Sequence, residues 1–63
     1  MLSKEEINLR FNEGALHLAE GAEIIRSYIY LRTGKDIVVV PPRNPREVML
    51  YQGFLQVIRS WSA

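Results

Sequence analysis

The apolar positions in the first half of the chain repeat with the period of an α-helix. They lie four, seven, four, three and four residues apart, at Ile7, Phe11, Leu18, Ala22, Ile25 and Ile29. Such spacings place side chains on one face of a helix. Ser3 and Glu6 have the spacing of a capping box, and Gly34 stands where a left-handed residue ends a helix. The pattern predicts a first helix over residues 4–33, about 45 Å long at 1.5 Å per residue.

A second helix is predicted over residues 45–61. Asn44 is a favourable N-cap, Pro45 suits the first helical position, and Glu47 stands at the third. The predicted core face of this helix consists of Leu50, Tyr51, Phe54, Val57, Ile58 and Trp61. Because it is only about 25 Å long, this helix cannot cover the whole of the first. Either the first helix breaks near Gly14 or Gly21, or its remaining apolar surface is buried elsewhere.

The segment between the two predicted helices is rich in valine and proline. Residues 37–40 are β-branched, and Pro41 forces an extended conformation on the residue before it. A lone strand is not stable, so the segment is either an extended loop, which we favour, or a strand paired with the same segment of a second chain. The predicted fold is all-α: one domain over residues 1–63, an antiparallel two-helix hairpin joined by an extended Val/Pro-rich loop, with a dimer as an open alternative.

The predicted first helix also carries a second apolar stripe, opposite the first. A helical hairpin buries only one seam, so this stripe favours a protein interface, used either for self-association or for docking another protein. Single exposed leucines are common, and a scattered surface is the alternative. We favour the interface because a chain this small gains from further burial. The predicted interface residues are Leu9, Leu16, Ile24 and Leu31.

Composition narrows the possible functions. The chain has 63 residues, no cysteine and one histidine. Disulfides, thiolate metal sites and thiol catalysis are therefore excluded, and a histidine-rich zinc site is excluded as well. No glycine-rich phosphate loop occurs, and no nucleophile stands beside a base. The sequence predicts a non-enzyme that has no cofactor and no metal site. It also shows no signal peptide and no membrane span, which predicts a cytoplasmic protein.

Charge is unevenly distributed along a chain of net charge +1. Residues 1–31 carry three basic and five acidic side chains, whereas residues 32–63 carry five basic and two acidic ones. A basic loop beside a helix N-terminus could contact an anion or nucleic acid. A solvated polar loop is the simpler interpretation, because nucleic-acid readout is usually more basic than this. The candidate contact residues are Arg32, Lys35, Arg43 and Arg46.

Three stretches carry a resemblance to a known group of proteins. They are the cysteine-free start over residues 1–6, the helical stretch over residues 21–26 and the ending over residues 57–63. Together they make the whole chain resemble the small early-region accessory proteins of lambdoid temperate bacteriophages, encoded between the recombination exonuclease and excisionase genes. The resemblance implies a protein of the host cytoplasm that acts on host replication or the developmental decision by binding a host protein. It carries over no catalytic residue.

Two functional hypotheses follow. The favoured one is a small, non-enzymatic interaction and regulatory protein whose partner is a host protein or a second copy of the chain. The alternative is a helical dimer that associates with nucleic acid through its basic loop. Steep weakening of duplex binding with added salt would favour the alternative. Neither hypothesis involves a membrane or a small-molecule substrate.

Overall fold

A computed structural model, which describes residues 1–63, contains three α-helices and no β-strand. The helices are α1 (Lys4–Asn12), α2 (Leu18–Thr33) and α3 (Pro45–Ser62). The predicted all-α class is confirmed, and residues 37–40 form no strand.

The predicted first helix is interrupted, so its extent over residues 4–33 is wrong. Of the alternatives raised by the length of the second helix, the structure has the break near Gly14. α1 is capped by Glu13, and Gly14 adopts a φ of +113°, a left-handed conformation that suits glycine and ends the helix. α2 begins after His17 and runs through Gly21 without a break. The longest dimension of the molecule is 29 Å. A continuous rod of about 45 Å would therefore extend far beyond it.

The predicted helix termini outside this break are confirmed. The Ser3 hydroxyl accepts from the Glu6 backbone N–H, and the Glu6 carboxylate accepts from the Ser3 N–H, both at 3.2 Å. The Asn44 side chain accepts from the Glu47 N–H at 2.9 Å. Gly34 ends α2 with a φ of +76°. These local signals fix the outer boundaries of the helices because each satisfies a backbone group that has no partner within the helix.

The three helices do not form the predicted two-helix antiparallel hairpin. α1 and α2 are antiparallel. The Leu2 N–H, just before α1, donates to the Ser27 hydroxyl in the second half of α2 at 2.9 Å. Arg10, near the end of α1, lies 3.9 Å from Glu20 near the start of α2.

α3 runs in the same general direction as α2. Tyr51, in the second turn of α3, donates to the carbonyl of Leu18 at the start of α2. Ten residues further along, Trp61 lies in edge contact with Tyr28.

The loop over residues 34–44 makes this parallel arrangement possible by returning along α2. The Arg26 guanidinium donates to both carboxylate oxygens of Asp36, at 2.7 and 2.8 Å. This hydrogen-bonded pair lowers the pKa of the Asp36 carboxyl and raises that of the Arg26 guanidinium. Val39 then packs against the core while Val38 remains 89% exposed. The loop is thus held against α2. It runs back along that helix, so that α3 begins near the N-terminal end of α2.

The core is small and draws on all three helices. Its six buried apolar side chains are Leu2, Ile7, Phe11, Ile24, Ile25 and Ile58. The inner face of α3 consists of Tyr51, Leu55, Ile58 and Ser62, which have helical spacing. This corrects the predicted core face, because Leu50, Phe54 and Val57 are exposed instead. The two faces are adjacent on the helix, and the positions of α1 and α2 together determine which of them is buried.

We expect Ser27→Ala to destabilise the fold by about 1–3 kcal/mol, since it leaves the buried Leu2 N–H without an acceptor. Ser27 is fully buried and its hydroxyl also donates to the Met1 sulfur at 3.8 Å. Ser62→Ala is the matched control, because the Ser62 hydroxyl bonds only to the carbonyl of Arg59 in its own helix. Urea denaturation of both variants measures the difference. Equal losses of unfolding free energy would contradict the role of Ser27 as an anchor.

Candidate functional site

The four predicted interface residues do not form one surface. Ile24 is fully buried, so its assignment to an interface is corrected: it belongs to the core. Leu16 is half-buried and packs against that core. Leu9 and Leu31 are 56% and 45% exposed, but they lie on different helices. The interruption at Gly14 separates residues that a continuous helix would have aligned.

A different apolar surface is exposed on α3. Leu50, Phe54 and Val57 follow one another at helical spacing and are 69%, 37% and 55% exposed. Gly53 lies beside them on the same side of the helix. We call these four residues the neutral face, since residues 48–58 contain no charged side chain. A helix that is uncharged for three turns and exposed along one side is unusual on a free surface.

The neutral face is uneven in shape, because an aromatic ring and a glycine stand side by side on it. Phe54 is held in place by Tyr28 of α2, with ring centroids 5.7 Å apart and an interplanar angle of 84°. A Cβ atom built on Gly53 would meet nothing within 4 Å. The partly exposed Phe54 ring therefore stands next to open space at a position without a side chain, and Leu50 and Val57 lie on the same side of the helix.

Exposed apolar side chains outnumber buried ones in this chain. Twelve large hydrophobic residues are exposed, against six that form the core. Besides the neutral face, they include Val38 and Val40 of the loop that leads into α3. Such an excess favours an interaction surface when the residues are contiguous, as they are along α3.

The predicted basic residues are divided between the two ends of α2. Arg32, near the end of α2, lies 6.0 Å from the centroid of the Tyr28 ring. Arg43 lies just before α3, and its Nε is 3.9 Å from Glu47. α2 has 16 residues, so its ends are about 24 Å apart. One copy of the chain does not bring Arg32 and Lys35 together with Arg43 and Arg46, and nucleic-acid binding remains a prediction.

An open cleft of about 500 Å³ lies on the other side of α3. It is bounded by α3 and by the connection between α1 and α2. Three apolar side chains, Phe11, Leu16 and Leu55, contribute to its wall. α3 also presents Gln52, Gln56 and Arg59 to it, spaced four and three residues apart. The cleft is therefore amphipathic, with an apolar wall and a polar stripe.

Three cationic or titratable side chains border the cleft. The Arg59 guanidinium lies 5.8 Å from the centroid of the Phe11 ring and has no carboxylate within 4.0 Å. His17 is 85% exposed, and its Nε2 lies 4.0 Å from Glu20. Tyr51 also borders the cleft, and partial burial raises the pKa of its phenol. The phenol hydroxyl donates to the Leu18 carbonyl.

No set of three or more histidine, aspartate or glutamate side chains is arranged to hold a metal ion. None of the three helices combines the length and hydropathy that a membrane span requires. Comparison with known protein families, curated proteins and solved structures finds no match to this chain. The bacteriophage resemblance therefore stays a prediction.

Neither the neutral face nor the cleft is among the sites predicted from the sequence. A signal for the neutral face is present in the sequence, because residues 48–58 lack charge and cover every side of the helix. The stripe also has a sequence signal, because Gln52, Gln56 and Arg59 are four and three residues apart and therefore lie on one face of a helix. The cleft wall could not be found in this way, because Phe11 and Leu16 reach it only through the turn at Gly14.

Proposed function

We propose that this chain is a small, non-enzymatic interaction protein that pairs with a second copy of itself through the neutral face of α3. The observation that carries the proposal is the exposure of Leu50, Phe54 and Val57 on a helix that has no charge over residues 48–58. In line with the bacteriophage resemblance, the dimer is the form proposed to regulate a host process by binding a host protein.

The electrostatic character of the neutral face favours a second copy as its occupant. Two identical charged surfaces repel each other, whereas two identical neutral surfaces meet without that cost. A strongly acidic or basic partner gains no ion pair at Leu50, Gly53, Phe54 or Val57. An uncharged apolar surface is the complement that this face requires, and another copy of the chain supplies one.

The shape of the neutral face is also self-complementary. A two-fold axis brings the same patch of each copy together in an isologous interface. With the two α3 helices antiparallel and crossing near Gly53, Phe54 of each copy occupies the open space above Gly53 of the other. Leu50 of each copy then packs on Val57 of its partner. The absence of a side chain at Gly53 allows this close approach of the two helices.

The energetics of this interface correspond to a weak dimer. Full burial of one Leu, Val or Phe side chain contributes about 1.5–3 kcal/mol, and six such side chains meet in the proposed interface. They are partly shielded already, and association costs about 4–15 kcal/mol in lost freedom. The favourable and unfavourable terms are thus of similar size, and we expect a weak dimer that is populated only at high chain concentration.

The experiment is sedimentation equilibrium over about a hundredfold range of chain concentration, since mass action populates a dimer only above its dissociation constant. The parent chain is expected to shift from the mass of one chain to that of two. Leu50→Glu places a charge in the interface and is expected to keep the chain monomeric. Gln56→Glu adds the same charge to the same helix outside the neutral face and should dimerise like the parent. Circular dichroism verifies that both variants are folded.

Two results would reject the proposal. A parent chain that remains monomeric throughout the concentration range would show that no such dimer forms. Equal dimerisation of Leu50→Glu and Gln56→Glu would show that association uses another surface.

A further inference from the structure

We propose that the cleft between α3 and the α1–α2 connection binds a small monocarboxylic acid with an apolar body. This inference goes beyond the proposed dimer and uses a different side of the same helix. The cleft volume of about 500 Å³ falls within the range of about 300–1,000 Å³ typical of small-molecule sites. Its wall and its polar stripe together define the chemistry of the occupant.

The apolar body of the ligand is placed by the cleft wall. Phe11 is a core residue, 8% exposed, and its ring forms part of both the core and the cleft. Leu16 and Leu55 pack partly against the core and also contribute to the wall. Since core packing holds these three side chains, the apolar part of the cleft exists before a ligand arrives. A preformed apolar wall lowers the ordering cost of binding.

The charge of the ligand is set by Arg59. Three other arginines have carboxylate partners: Arg10 with Glu20, Arg26 with Asp36 and Arg43 with Glu47. Arg32, Arg46 and Arg59 have none within 4.0 Å. Of these three only Arg59 borders the cleft, where it lies over the Phe11 ring. An unpaired guanidinium next to an apolar wall attracts an anion more strongly than one in open solvent, because the wall reduces screening. Its planar donors match a carboxylate in two-point geometry.

The surrounding side chains favour a single negative charge. The amides of Gln52 and Gln56 lie along the same side of α3 as Arg59 and can donate to one carboxylate. At the other end of the cleft, His17 is accompanied by Glu20 at 4.0 Å. A second anionic group near that end would meet the Glu20 carboxylate. The arrangement therefore fits a monoanion whose carboxylate lies at Arg59 and whose apolar body extends toward Leu16.

The test uses octanoate and its neutral isostere octanamide as probes. Each is titrated into the full chain while the backbone amides and the glutamine side-chain amides are followed by two-dimensional NMR. Octanoate is expected to shift the Gln52, Gln56 and Gly14 signals and to bind at least about tenfold more tightly than octanamide. Equal affinities would overturn the role assigned to the charge. Absence of saturable shifts at these residues would overturn the site.

A pair of matched variants assigns the effect to Arg59. Arg59→Gln is expected to weaken octanoate binding by about tenfold or more and to leave octanamide binding unchanged. Arg46→Gln makes the same substitution on α3 outside the cleft and should bind octanoate like the parent. Undiminished binding to Arg59→Gln would contradict the proposal. The Leu50→Glu variant, which is expected not to dimerise, keeps this test independent of the proposed dimer. Leu50 lies outside the cleft, so the variant should bind octanoate as the parent chain does.

Discussion

Replacing Ile24 by alanine is expected to unfold most of the chain at room temperature. Ile24 is fully excluded from solvent and belongs to a core of only six apolar side chains. Truncation of a buried isoleucine to alanine costs about 2–5 kcal/mol. A core of this size supplies about 3–5 kcal/mol of net stability, so little would remain. Far-ultraviolet circular dichroism should show the loss of helix, and urea denaturation should show the loss of a cooperative transition.

Ile24→Val is the graded control for this prediction. It removes one methylene group and is expected to cost about 0.5–1.5 kcal/mol, which leaves the chain folded. The two variants also separate the core role of Ile24 from the interface role that the sequence suggested. A folded Ile24→Ala chain with reduced dimer mass would restore the interface interpretation and contradict the packing described above.

Gly21→Ala is expected to destabilise the chain by about 1–3 kcal/mol, although alanine is the better helix former by about 1 kcal/mol. A Cβ atom at this position would overlap the Tyr51 hydroxyl and lie 2.8 Å from its Cζ atom. The ring would have to leave its place between α2 and α3. Its hydrogen bond to the Leu18 carbonyl would be lost as well. Urea denaturation of the parent and the variant measures the change.

The control substitution is Gly53→Ala, where nothing lies within 4 Å of the new Cβ atom. At a concentration where the chain is monomeric, it should stabilise the fold by about 0.5–1 kcal/mol through helix propensity. A second control removes the obstacle itself: in a Tyr51→Ala background, Gly21→Ala should become stabilising. An equal cost of Gly21→Ala with and without the Tyr51 ring would contradict the steric explanation.

The sequence was sufficient for the helix ends that depend on local chemistry. The capping pairs Ser3–Glu6 and Asn44–Glu47 satisfy backbone groups within a few residues of themselves, and Gly34 ends α2 by its own left-handed conformation. Such features do not depend on the rest of the molecule. They were therefore predicted to within one or two residues.

The interruption of the first helix was harder to predict because its periodicity survives the break. Phe11 and Leu18 are seven residues apart, and seven residues make about two helical turns. The apolar pattern therefore continues across a connection that is not helical. Gly14 and Gly21 also look alike in sequence. Only the approach of Tyr51 explains why a glycine is accommodated inside α2, whereas Gly14 adopts the conformation that ends α1.

The neutral face and the cleft depend on how the three helices pack together, and local sequence does not determine that packing. α3 carries two adjacent apolar stripes of similar hydropathy, and the sequence cannot state which one faces the core. The structure buries Ile58 and leaves Leu50 and Val57 exposed. This choice follows from the return of the loop along α2, which is fixed in part by the pair Arg26–Asp36. The direction in which the loop runs back along α2 depends on the packing of all three helices, so it cannot be predicted from the loop sequence alone.

The parallel course of α2 and α3 has a consequence for how the chain acquires its structure. Tyr51 meets Leu18 across 33 positions of sequence, and the Lys4 ammonium lies 4.9 Å from the centroid of the Trp61 ring. Contacts between such remote segments require loop closure before they contribute, which slows folding relative to a chain of local helical pairs. α1 packs mainly against α3, the helix most remote from it in sequence, rather than against α2. The three helices are thus expected to form and to dissolve together, as a single cooperative unit.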